Sequence, residues 1–157
     1  MNFKAPLSAA TLFLLITCIS CTEKAEIKDE SAALPIVGTW QLFQGTSYEN
    51  GDTTVTDYGK TNEMIKILND THFSFLNHDL NHGKDSTASF VAGGGTYSLE
   101  GNTYTEHLDY CNYREYEGNT FEFELTLQGD TLIQKGREQI EEEGIDRIII
   151  EKYIRIK

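Results

Sequence analysis

Three histidines crowd the segment THFSFLNHDLNHGKD: His72, His78 and His82, with Asp79 and Asp85 among them. Imidazole and carboxylate are common zinc ligands, and His78 and His82 are four residues apart, which on a helix would put both rings on one face. The setting argues against that chemistry. Asn, Gly and Asp dominate the stretch after an alternating apolar run, so it reads as a long loop leaving a strand, where the spacing carries no geometry. No H-E-x-x-H pattern occurs, and no metal is expected there. Cys111 is a second candidate, as a thiol nucleophile. It has no histidine motif beside it, and YCNY reads as a strand end, so a packing role is expected. Gly93-Gly94-Gly95 lacks the following helix that a phosphate loop needs and reads as a bulge or mobile entry to a strand starting at Thr96. No G-x-S-x-G elbow supports a Ser-His-Asp set. Neither a catalytic constellation nor a cofactor is expected.

Glu106 holds more promise. In YSLEGNTYTEHLDY, residues 97–110, Tyr97 and Leu99 share one face of a first arm, and Tyr104, Glu106, Leu108 and Tyr110 share one face of a second. A carboxylate in an aromatic row needs a reason. Three are open: an ion pair inside the fold with Arg155 or Arg137, a place on a cavity wall facing a ligand's polar group, or a wet position at a mouth. A second charged row lies near the C-terminus, where Glu151, Tyr153 and Arg155 share a face.

The elements that position these residues are strands. From Val37 onward, short alternating runs such as TWQLFQ, MIKIL, HFSFL, TFEFELTLQ and RIIIEKYIRI are separated by Gly/Asn/Asp turns. In TFEFELTLQ, Phe121, Phe123, Leu125 and Leu127 oppose Glu122, Glu124 and Thr126, the mark of a half-buried strand. Strands joined by tight turns pair with their neighbours. The expected fold is all-β, a single antiparallel up-and-down barrel of about eight to ten strands, because closure removes both edges. A barrel of that size has room for one small ligand. A sandwich is the alternative.

Gly38-Thr39-Trp40 on the first strand resembles the G-x-W signature of lipocalins, and Tyr153-Ile154-Arg155 places an arginine on the last strand. The resemblance implies that Arg155 packs across Trp40 and closes the base of a lipocalin-like barrel over residues 37–157. It also implies a ligand site in the interior, for which the candidates are Trp40, Phe73, Phe75, Tyr97, Tyr104, Glu106, Phe121, Phe123, Tyr153 and Arg155.

The N-terminus gives an address. Lys4 followed by LSAATLFLLITCIS, a run short for a bilayer span, reads as a secretory signal over residues 1–20. Ser20-Cys21 resembles a bacterial lipobox, with Cys18 three places upstream where leucine is usual. That resemblance implies an acylated Cys21 on an outer-membrane lipoprotein facing periplasm or cell surface, and Thr22 in place of aspartate agrees with it. Residues 21–36 are polar and acidic and read as a flexible tether. The chain carries a net charge of −12, which weighs against nucleic acid and anionic headgroups as partners. The expected function is a lipid-anchored protein holding a small, largely apolar molecule. The alternative is a structural or protein-interaction module with a filled core. The oligomeric state is left open.

Overall fold

The computed structural model describes Met1 and residues 33–157. The expected signal over 1–20, Cys21 and most of the tether lie outside the described residues. Nine strands make one closed antiparallel sheet: β1 (Gly38–Glu49), β2 (Asp52–Asp57), β3 (Asn62–Leu68), β4 (His72–Asp79), β5 (Phe90–Glu100), β6 (Thr103–Cys111), β7 (Thr120–Gln128), β8 (Thr131–Ile140) and β9 (Ile145–Ile156). Pairing runs in sequence order from β3 to β9, and β1 closes the ring against β9. The barrel proper therefore has eight strands, with β2 as an extra one.

β2 departs from the simple meander. β1 pairs with β3 over Gly38–Leu42 and with β2 over Gln44–Glu49, both along the same edge. A bulge at Phe43 marks the change of partner, and the Phe43 carbonyl accepts from the Tyr58 amide at 3.0 Å. Asn50 and Gly51, both at positive φ (52° and 87°), make the tight turn that sends β2 back along β1.

Alternation decides what is inside. On β7, Phe121, Phe123 and Leu125 are buried while Glu122, Glu124 and Thr126 are exposed, as the sequence predicts. The deep core joins Trp40, Leu42, Leu68, Phe73, Tyr104, Phe123, Leu132 and Tyr153. Leu34 and Ile36, in the short described stretch before β1, join this core at the base.

Two expectations about the middle of the chain are corrected. β5 begins at Phe90, not Thr96, so the three glycines lie within a strand. Tyr110 does not share a face with Glu106: it is 72% exposed, and Cys111 takes the inward position. The cause is a bulge. Gly94 pairs with Tyr110 and Thr96 with His107, so Leu108 and Asp109 together face Gly95 and the phase of β6 flips. A Cβ on Gly95 would collide with the His107 carbonyl and approach the Asp109 amide at 2.7 Å. Only glycine lets the bulged backbone come so near.

Candidate functional site

The base of the barrel is solid. Trp40 is fully buried, and its Nε1–H donates to the Ile36 carbonyl at 2.7 Å. The Arg155 guanidinium lies over the indole at 4.0 Å from the ring centroid. Its two terminal nitrogens donate to the Val37 and Pro35 carbonyls at 2.8 and 2.6 Å, pinning the chain that leads into β1. Gly38 has φ of 144°, and a Cβ there would sit 2.5 Å from Arg155 Nη1. The glycine of G-x-W thus clears the path of the arginine. The Tyr97 and Tyr104 rings pack beside this base, tilted at 50° with centroids 5.2 Å apart, and the Tyr97 hydroxyl donates to the Asn69 carbonyl.

Above the base lies a layer of polar side chains. Glu106 points inward and is 7% exposed. Its partner is Lys66, whose ammonium donates to Glu106 Oε1 at 2.7 Å and to Gln134 Oε1 at 2.8 Å. Lys66 is 3% exposed, and the rings of Phe73, Tyr104 and Tyr153 surround it at 5.4–5.7 Å. Those π faces complement a cation that has little water. The arginines expected to pair with Glu106 do not. Arg137 falls on the outward phase of β8, opposite to buried Leu132 and Gln134, and binds Asp146 through two hydrogen bonds of 2.6 Å. Arg155 is committed to the base.

Glu151 completes the layer. Its Oε2 accepts from the Tyr153 hydroxyl at 2.6 Å. Burial raises its carboxyl pKa, with the Lys66 charge and the Tyr153 hydrogen bond acting the other way. Burial and the neighbouring carboxylates raise the Tyr153 and Tyr104 phenols well above their ordinary range, so both stay neutral. The Tyr104 hydroxyl is fully enclosed with no hydrogen-bond partner among the described residues.

From this layer to the opposite end runs a cavity of about 380 Å³. Phe75, Phe121 and Phe123 form part of its apolar wall, and Lys66, Glu106 and Glu151 are its charged floor. Tyr58, Tyr113 and Tyr116 stand among the remaining lining residues, with an ion pair between Arg147 and Glu138 at 2.6 Å. Gly93 matters to the wall, because a Cβ there would strike the Phe75 ring at 2.6 Å. Of the ten candidate ligand-binding residues, Phe75, Glu106, Phe121, Phe123 and Tyr153 line this cavity. Trp40, Phe73, Tyr97, Tyr104 and Arg155 instead fill or close the base.

Lys66 and Gln134 belong to the site and escaped the sequence reading. A signal existed: Met64, Lys66 and Leu68 alternate just as Tyr104, Glu106 and Leu108 do, one charge per apolar row. It was masked because Ile65 and Ile67 make the other face of β3 apolar too, which leaves the phase of MIKIL ambiguous.

The histidine cluster lies elsewhere, whereas Cys111 is on the wall of this cavity. The His78 and His82 rings stack at 5.6 Å outside the barrel, and His78 Nε2 is 3.8 Å from Glu63 Oε2. Asp79 accepts from the Gly83 and Ser89 amides and so ties up the loop after β4, which holds its carboxyl below the usual range. Among the described residues no group of three or more His, Cys, Asp or Glu is arranged to hold a metal. Cys111 is buried, and burial raises its thiol pKa, which disfavours the reactive thiolate.

No curated protein matches this chain. A family model described as a domain of unknown function, DUF4488, matches residues 35–157, which is the whole barrel with the start of the segment that Arg155 pins at its base, and the chain belongs to that family.

Proposed function

We propose that this is an exported, lipid-anchored, lipocalin-like binding protein that carries a small, largely apolar molecule inside its barrel. The cavity of about 380 Å³ carries the reading. It falls within the roughly 300–1,000 Å³ common for small-molecule sites, and it pairs apolar walls with a few convergent polar groups. A filled interaction module would close this space with side chains, as the base of the same barrel does. The lipocalin likeness is supported by Trp40 beneath Arg155 and by antiparallel closure of β1 on β9.

The address rests on the N-terminal signal and on Ser20-Cys21. Acylation at Cys21 would hold the barrel at the outer membrane, where one lipid chain binds marginally and more than one binds stably. Labelling cells with a fatty-acid analogue should tag the wild type and miss Cys21→Ala. Label lost only in Cys18→Ala would move the anchor to that residue. Native mass spectrometry of protein extracted gently from its membrane tests the binding role. The expected result is a small molecule that co-purifies with the wild type and is lost when Phe121→Trp fills the cavity. A ligand-free spectrum, together with failure to bind neutral aromatic probes, would sink the reading.

A further inference from the structure

The charged groups facing the cavity are not all engaged. Arg147 is matched by Glu138, and its Nη2 also reaches the Tyr116 hydroxyl at 3.3 Å. Lys66 is matched by Glu106 and Gln134. Both cations are therefore engaged. Glu151 has only the Tyr153 hydroxyl, a neutral donor, and its second oxygen has no partner among the described residues. Glu106, whose side chain is 9% exposed, uses Oε1 for Lys66, and the buried Tyr104 hydroxyl lies beside the same carboxylate. Glu151 is thus a carboxyl with no cationic hydrogen-bond partner at the inner end of an apolar cavity, beside the Lys66–Glu106 pair, and burial favours its protonated form. A ligand ending in a carboxylate or phosphate would set its charge against both glutamates and would find no free cation to offset them.

We infer that the cavity selects a small organic cation, an amine with an apolar body, whose ammonium group binds between Glu106 and Glu151 while its hydrocarbon part lies against Phe75, Phe121 and Phe123. The inference rests on the binding role proposed above and names its ligand class. An ammonium supplies N–H donors to the free Glu151 oxygen and toward Glu106, and its charge balances the carboxylate left when Glu151 gives up its proton. Burial raises the Glu151 pKa, with the Lys66 charge and the Tyr153 hydrogen bond acting the other way, so a bound ammonium should release a proton from that residue. Lys66 does not compete for the same place, because its position is held by Glu106, Gln134 and three rings. An overall charge of −12 also draws cations toward the protein and repels anions.

The test is a set of three ligands that differ only in their polar end: 4-phenylbutylamine, 4-phenylbutanol and 4-phenylbutyrate. Each is titrated calorimetrically into the full chain in nanodiscs, with empty nanodiscs as the blank. The amine should bind about tenfold to a hundredfold more tightly than the alcohol, as a charge-assisted hydrogen bond in a dry site allows, and the butyrate weakest of all. Lowering the pH from about 8 to about 5 should weaken the amine and leave the alcohol unchanged, because protonated Glu151 no longer attracts a cation. Glu151→Gln preserves the acceptor for Tyr153 and should remove the preference for amine over alcohol. Equal binding of amine and alcohol, tightest binding of the butyrate, or an amine preference that survives Glu151→Gln would overturn the inference while leaving the cavity as a binding site. Failure of all three ligands would overturn the binding role as well.

Discussion

Replacing Lys66 with methionine removes the cation from the floor of the cavity while keeping most of its volume. The ammonium nitrogen is 2.7 Å from Glu106 Oε1, and the two side chains are 3% and 9% exposed. At an effective dielectric constant of about 20 the attraction at that distance is about 6 kcal/mol. Withdrawing each ion from water costs several kcal/mol, so the intact pair contributes little net stability. Losing one member is different: the attraction disappears and the desolvation of Glu106 remains. Lys66→Met should therefore cost roughly 3–5 kcal/mol, a large part of the 5–15 kcal/mol typical of a domain. Urea unfolding followed through Trp40, the single tryptophan, measures it directly. The double variant Lys66→Met/Glu106→Leu leaves no stranded charge and should recover most of the loss, giving a coupling energy of about 2 kcal/mol or more. Two results would refute the reasoning: a loss below about 1 kcal/mol in Lys66→Met, or a double variant as unstable as the sum of the singles.

Three further outcomes are expected. Trp40→Ala empties the base of the barrel and should cost about 3–5 kcal/mol; a loss under about 1 kcal/mol in chemical denaturation would mean that the indole is not buried. Gly95→Ala should destabilise by at least about 1–3 kcal/mol, because the His107 carbonyl is backbone and cannot swing away, and wild-type stability would show that the β6 bulge is absent. Glu151 sets a pH dependence: its folded pKa is raised by burial, so its contribution to stability is complete below the ordinary value of 4.5 and is lost as pH rises through the folded value. Glu151→Gln should match the wild type in acid and become the more stable of the two toward neutral pH. Unfolding curves across that range decide this, and a wild type that is the more stable at neutral pH would mean an ionised, well-partnered carboxylate.

Local pattern by itself determined the all-β class, the position of most turns, and the inward phase of strands with one apolar face. β7 is the clearest, since Phe121, Phe123 and Leu125 cannot exchange places with Glu122 and Glu124 without exposing three large side chains. The inward aim of Glu106 followed from the same logic; the packing of Arg155 on Trp40 came instead from what the G-x-W resemblance implies. What the pattern left open was every property that depends on how many residues face one another across a ladder. The β6 bulge turns Tyr110 out and Cys111 in, although the run HLDYC alternates without any visible break. The change of partner at Phe43 lets β2 and β3 share one edge of β1, which no turn signal encodes. The partner of Glu106 was of this kind as well. Lys66 lies forty residues away in the chain and meets it only because β3 and β6 face each other across the closed barrel. Alternation is a property of one strand and can be read from its residues. Register, closure and the meeting of opposite walls are properties of several strands at once, and only the folded barrel decides them.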